Sequence, residues 1–271
     1  MIVQALSGGA MRVLLIIVLL FSPLVQAAST VRVGAYPFPP LAGFDEQGAV
    51  KGLLSDLLDE LNRRQDRFRF EVVETTPKRR YRDYDAGRFD VIFFESPRWS
   101  WQDHDIESTF VILRDAEVYI ALDKPDRDQS FFDNLAERQI VGVLGYHYGF
   151  AGFDPVEGAL KNRFNITMSR SHARNLKLIQ ADRPSLAEVA VVTRSYLSLY
   201  AERNPDRYDR LLVSDKIDQA YRLRVLVRPG IEPSKRALEG ILKDVIADGT
   251  YRALLSRYHL PFPESLEPLS R

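Results

Sequence analysis

One pattern limits what this chain can fold into: a β-α alternation that runs, breaks, and starts again. Val31-Arg-Val-Gly-Ala-Tyr36 alternates and is rich in β-formers, so it opens as a strand. A helix is expected from about Gly52 to Arg64, because Leu53, Leu54, Leu57, Leu58 and Leu61 form a 3.6-residue stripe. Phe68–Glu74 alternates as a second strand, Pro77 opens a short helix that Gly87 ends, and Asp90-Val-Ile-Phe-Phe94 has the continuous apolar character of a buried parallel strand. The order β-α-β-α-β implies a parallel sheet with helices on its faces.

The alternation is then interrupted. Phe110-Val-Ile-Leu and Val118-Tyr-Ile-Ala-Leu are two strand-like runs flanking Arg114-Asp-Ala-Glu, and Lys124–Ser130 is polar and turn-rich. It restarts with a strand at Ile140–Leu144, the glycine turn Gly145-Tyr-His-Tyr-Gly149, a strand at Asn165–Met168, a helix at 171–181, a strand at Glu188–Val192 and a helix at 194–203. Tyr221–Val227 is a long alternating strand, and two amphipathic helices close the chain, the first stopped by Gly249. The expected architecture is therefore α/β in two lobes, one from 28–120 plus 224–271 and the other from 124–220, joined by two crossing strands.

Composition removes several function classes. The 271 residues carry 37 basic and 37 acidic side chains, so no net field draws nucleic acid or anionic lipid. With no cysteine there is no disulfide framework, thiol nucleophile, cysteine zinc site or lipidated N-terminal cysteine. Neither Gly-x-Ser-x-Gly nor His-Glu-x-x-His occurs, and the four histidines have no ligand spacing. Asp103-His-Asp105 reads as an exposed polar turn before it reads as a metal site, and no metal or cofactor is expected. Residues 1–27 have the layout of a cleavable signal peptide: Arg12, the apolar run Val13–Phe21, and Val25-Gln26-Ala27 before the cut. The true start is Met1 or Met11. Nine apolar residues fall short of the roughly 20 a membrane span needs. An exported, periplasmic protein is expected.

Several strings in this order resemble the extracellular solute-binding proteins of family 3, the periplasmic receptors of polar-amino-acid ABC transporters. They are Val31-Arg-Val-Gly-Ala-Tyr-Pro-Phe-Pro-Pro40, the segment Gly48–Leu57, Gly87-Arg-Phe-Asp-Val-Ile92 and Asp248-Gly-Thr-Tyr251. The resemblance implies the two-lobed type II periplasmic-binding-protein fold, with lobes closing over a ligand in the cleft. It also implies a non-enzymatic receptor, a monomer, that captures a small polar or zwitterionic, amino-acid-like solute for a membrane permease. The alternatives are a sensory subunit serving a membrane receptor and an enzyme on the same scaffold. Lytic transglycosylases, whose N-terminal part is similar, need a lysozyme-like domain for which this chain leaves no room. A cyclohexadienyl dehydratase needs a cleft acid, and Glu95 is the one to consider.

Eight residues are carried forward as ligand contacts. By the resemblance, Tyr36 and Phe38 line the cleft, Arg80 of Pro77-Lys-Arg-Arg80 faces it, and Arg98 stands near the place of a carboxylate-clamping arginine, about four residues early. Thr193 occupies the place where such receptors set an aspartate for the ligand amine. Both amino-acid anchors are thus altered. From the residues themselves, Glu95 ends a buried strand, where a carboxylate must be paired or cleft-exposed. It either meets a ligand cation or pairs with Arg98. Tyr146 and His147 sit in a turn whose backbone N–H groups can hold an anion. Each has a plainer reading: loop packing for Tyr36 and Phe38, a solvated face for Arg80, stacking beside Trp99 for Arg98, and an ordinary glycine turn for Tyr146 and His147.

Overall fold

The computed structural model describes residues 28–269; the expected signal segment, residues 1–27, lies outside the described residues. Strand β1 (Ser29–Ala35) pairs in parallel with β4 (Phe68–Glu74) and with β5 (Val91–Glu95). A two-stranded ribbon, β2 (Gly43–Phe44) and β3 (Val50–Lys51), leads into helix α1 (Leu53–Arg64), whose five stripe leucines are all buried. Burying each such side chain stabilises by about 1.5–3 kcal/mol, which outweighs helix propensity in fixing α1. Helix α2 spans Arg80–Asp85. It starts three residues later than Pro77 suggests, because Thr76 to Arg79 form a turn whose Thr76 carbonyl accepts from the Arg79 and Arg80 amides.

The short β6 (Glu107–Ser108) precedes β7 (Leu113–Leu122), and the second half follows: β8 (Ile140–Val143), α3 (Glu157–Arg163), β9 (Ile166–Ser169), α4 (His172–Gln180), β10 (Val189–Thr193), α5 (Arg194–Arg203) and α6 (Pro205–Tyr208). Strand β11 (Leu211–Val227) runs for 17 residues, and α7 (Lys235–Ala247) and α8 (Thr250–Arg257) end the chain. The strand order β4-β1-β5-β11-β7-β10-β8-β9 is one path, with β6 beside β11. The near half is parallel about β1 and the far half parallel about β8, while β7 and β11 join them antiparallel. Residues Arg224 to Val227 of β11 pair with β5, and Leu211 to Leu223 pair with β7. This curled two-lobed sheet is the type II periplasmic-binding-protein architecture.

Two expectations change. Residues 113–122 form one strand rather than two runs split by Arg114–Glu117, since Asp115 accepts from Ser195 Oγ (2.5 Å) and Glu117 from Gln219 Nε2 (2.6 Å). Strand β11 begins at Leu211, ten residues before Tyr221. Its polar stretch stays paired to β7 through two register shifts between Val213 and Gln219. Both faces of β7 are buried: Tyr119 and Ala121 join one core, Val118, Ile120 and Leu122 another. Helices α7 and α8 pack on α1, and Arg64 Nη1 reaches Asp248 at 2.5 Å.

Candidate functional site

The carboxyl ends of parallel strands in an open α/β sheet leave their loops pointing into a common crevice. Here β1 delivers Tyr36 and Phe38, β5 delivers Glu95, and β8 delivers Gly145-Tyr146-His147. Phe38 is held in a tight turn, its amide donating to the Ala42 carbonyl at 2.8 Å. Gly145 (φ +83°) approaches the turn before α2 so closely that a Cβ there would lie 2.9 Å from side-chain atoms of Pro77 and Lys78. A larger residue would hold the two halves apart.

Arg80 is the centre of the site. It is 1% exposed, and its partner Glu95 is fully buried. Arg80 Nε lies 3.3 Å from Glu95 Oε1, Trp101 Nε1 donates to Oε2 at 2.5 Å, and the Tyr36 hydroxyl donates to Oε1. The guanidinium is sandwiched between the rings of Tyr36 (5.0 Å) and Tyr81 (4.4 Å), a cation–π arrangement that desolvation strengthens. Its Nη edge crosses to the other half of the molecule. Nη1 lies 3.4 Å from the Gly145 carbonyl and also donates to Pro77 O, and Nη2 lies 3.4 Å from His147 Nδ1. The guanidinium is thus held firmly by its own half, and its contacts to the other half are long.

Five aromatic rings fill the space beside it. Phe38 stacks on Tyr36 (centroids 6.0 Å) and meets Trp99 (6.0 Å), Tyr146 (5.5 Å) and Tyr221 (5.9 Å) edge-on. Tyr146 donates to the Pro37 carbonyl at 3.0 Å. Trp99 Nε1 donates to Gln219 Oε1 at 3.1 Å, and Gln219 Nε2 donates to Glu117 and to the His147 carbonyl. Gln219 therefore ties together both crossing strands and both halves.

The electrostatics follow from burial. Desolvation pushes the Glu95 carboxyl up, against the opposing pull of Arg80, Tyr36 and Trp101. Glu117 is pushed well up by burial and by the charge of Asp218. Its Oε1 meets no donor in hydrogen-bonding geometry. His147, buried beside Arg80, is held down at about 3 and is neutral.

Of the eight residues singled out from sequence, six converge here: Tyr36, Phe38, Arg80, Glu95, Tyr146 and His147. Two do not. Arg98 is exposed and stacks on Phe153 at 4.5 Å, so Glu95 pairs with Arg80 rather than Arg98. Its neighbour Trp99 turns inward, in a segment where Ser100 (φ +56°) takes the left-handed conformation. Thr193 is buried but caps α5, accepting from the Tyr196 amide at 3.3 Å; across the ladder it sits opposite Glu117. Sequence reasoning missed Trp99, Glu117, Gln219 and Tyr221. The one available signal was a charged pair, Asp115 and Glu117, embedded among strand formers. His104 pairs with Asp85 at 2.8 Å, and among the described residues no group of His, Asp or Glu is arranged to hold a metal.

Among the described residues, an inner and an outer space lie between the halves. The inner one, among Tyr36, Phe38, Arg80, Trp99, Tyr146, His147 and Tyr221, is about 10 Å³, room for roughly one water. The outer groove is about 590 Å³, with Pro39, Pro40 and Gly52 on one wall and Tyr196, Tyr200 and Arg203 on the other.

No protein-family model and no curated protein matches the sequence. Solved structures do match. An ancestral arginine-binding protein bound to arginine is 16% identical, with a TM-score of 0.63 over 86% of this chain and 99% of that one. An ancestral amino acid-binding protein described as a precursor of cyclohexadienyl dehydratase is 20% identical, at 0.64 over 85% and 95%. A histidine kinase sensor domain with similarity to periplasmic binding proteins is 17% identical, at 0.64 over 88% and 99%. The class is thus a periplasmic-binding-protein fold of type II. Within it, the likeness to amino-acid-binding proteins that the sequence strings carry holds in the fold. Among the described residues no helix is long and apolar enough to cross a membrane.

Proposed function

We propose that the chain is an exported binding protein whose two lobes, 28–120 with 224–271 and 124–220, close over a small polar or zwitterionic ligand bearing an anionic group. The closed form is then presented to a membrane partner, a permease or a receptor. The observation that carries this reading is the two-sided setting of Arg80. Glu95, two tyrosine faces and a hydrogen bond from Nη1 to the Pro77 carbonyl fix it on its own side, while its contacts across the gap, to Gly145 and His147, are 3.4 Å long. Separating the lobes releases the contacts to Gly145 and His147, and a carboxylate can take their place, accepting from both Nη groups in the bidentate geometry arginine favours. Closure then restores Tyr146 and His147 over the ligand, which is a population shift with no covalent step. Glu95 suits a binding role better than that of a dehydratase acid, because it is fully buried, Tyr36 and Trp101 donate to its two oxygens, and Arg80 Nε stands 3.3 Å away as its counter-ion.

A thermal-shift screen of amino acids, opines and small carboxylates on residues 28–271 tests the reading. A ligand at a hundred-fold excess over Kd adds about 2.7 kcal/mol. Arg80→Ala removes a charge-assisted bond of about 1.5–3 kcal/mol, weakening binding roughly 10–150-fold. An unaltered shift in Arg80→Ala would overturn the site.

A further inference from the structure

The ring of Phe38 has an unusual setting for a residue in a loop. It is 4% exposed, and its neighbours come from four separate parts of the chain: Tyr36 after β1, Trp99 after β5, Tyr146 after β8, and Tyr221 in the crossing strand β11. The contacts are those a phenyl ring prefers, one near-parallel stack (16°) and three edge-to-face (72°, 86° and 63°). These four residues therefore form a box shaped for a flat six-membered ring, and the chain itself supplies the ring that occupies it. Arg80 lines the same cavity. Its guanidinium lies 5.0 Å from the Tyr36 centroid, which is 6.0 Å from that of Phe38, so ring and cation are at most about 11 Å apart. A phenyl ring joined to a carboxylate by a two- or three-atom chain has a reach within that limit. The turn carrying Phe38 also walls the outer groove through Pro39, Pro40 and Ala42, so a ring leaving the box has open space beside it.

We propose that Phe38 is a built-in stand-in for the ligand, and that the ligand is an aromatic carboxylate whose ring displaces that of Phe38 from the Tyr36–Trp99–Tyr146–Tyr221 box while its carboxylate takes the Nη edge of Arg80. This rests on the binding reading above and sharpens it to a substrate class. Because the native side chain competes for the box, apparent affinity is reduced by the fraction of molecules in which the box is filled. Removing the competitor strengthens binding, and it does so selectively for ligands with both a ring and an anion.

The experiment is isothermal titration of residues 28–271, as wild type, Phe38→Ala, Phe38→Leu and Phe38→Ala with Arg80→Ala. The probes are 3-phenylpropionate, hexanoate, toluene and the polar amino acids. Phe38→Ala is expected to bind 3-phenylpropionate at least about tenfold more tightly than wild type does, and at least about tenfold more tightly than it binds hexanoate or toluene. The advantage over toluene disappears when Arg80→Ala is added. Phe38→Leu is expected to keep the order with a smaller gain, and it stands in if Phe38→Ala does not fold. Toluene binding as tightly as 3-phenylpropionate identifies a mere engineered hole and overturns the proposal. So does equal binding of 3-phenylpropionate and hexanoate, or no gain in either Phe38 variant. If polar amino acids bind and aromatic carboxylates do not, the substrate class fails and the receptor reading stands; if nothing binds, both fail.

Discussion

Breaking the Arg80–Glu95 pair from one side is expected to be far worse than breaking it from the other. Both side chains are at most 1% exposed, and removing one partner of a buried pair costs about 3–5 kcal/mol. The two single variants leave different residues stranded. In Glu95→Gln, a guanidinium that cannot shed its proton remains in the interior, compensated by the Pro77 and Gly145 carbonyls and two tyrosine faces. The loss should lie at the upper end, about 4–5 kcal/mol. In Arg80→Met, Glu95 keeps Tyr36 and Trp101 as donors, and burial already pushes its carboxyl up, so it can accept a proton. The loss should be nearer 2–3 kcal/mol by the same reasoning. The double variant leaves no stranded charge and should be more stable than Glu95→Gln alone, a coupling of about 2 kcal/mol or more. For a chain of this size about 2–4 °C of Tm accompanies each kcal/mol, so Glu95→Gln should melt about 8–20 °C below wild type. Urea unfolding at pH 7 with thermal scans gives all four corners of the cycle. Glu95→Gln proving no more harmful than Arg80→Met, or a double variant showing the simple sum of the two losses, would refute the account.

Three further outcomes are expected. Burial and the neighbouring Asp218 raise Glu117, so the folded state holds its proton more tightly than the unfolded chain, and stability falls as pH rises above the ordinary glutamate value. Glu117→Gln should remove a slope of up to about 1.4 kcal/mol per pH unit and be the more stable protein at neutral pH; an unchanged slope in urea midpoints against pH sinks this. His147 works in the opposite direction: held at about 3, it refuses a proton the unfolded chain takes near 6.5, so stability is lost as pH falls below that value. His147→Gln should flatten the loss between pH 6.5 and 4.5, and a parallel curve would contradict it. Gly149→Ala should cost about 1–3 kcal/mol, since its Cβ would stand 2.0 Å from the Asp218 carbonyl; a Tm within a degree of wild type would be inconsistent with that clash.

What could be read without coordinates was what is local. The leucine stripe of α1, the parallel strands and the restart of the alternation all depend on neighbours within a few residues. Glu95, Tyr146 and His147 are legible because residues at or just past the ends of parallel strands face a crevice whatever their partners, whereas Tyr36, Phe38 and Arg80 rest on the resemblance, Arg80 lying in α2 rather than at a strand end. Arg98 misled because backbone direction decides between it and Trp99. The left-handed residues Phe94 and Ser100 on either side send the tryptophan in and the arginine out. Glu117 and Gln219 were out of reach for a different reason. Glu117 sits where its strand is buried on both faces, so no alternation marks it; Gln219 lies beside the register shifts of β11, and the bond joining it to Trp99 spans 120 positions.

The long strand β11 also sets an order of assembly. The far half of the sheet draws all its strands from the continuous stretch between Leu113 and Leu223, so a chain emerging from synthesis has every strand of that half before residues 224–271 appear. The near half does not. Its β5 waits for Arg224–Val227, and its α1 waits for the two terminal helices, so the N-terminal third must stay incomplete until the end of the chain arrives. Because closing long loops is slow relative to local pairing, the half completed last is expected to fold last. A chain truncated before Arg224 lacks the strand segment that closes the near half.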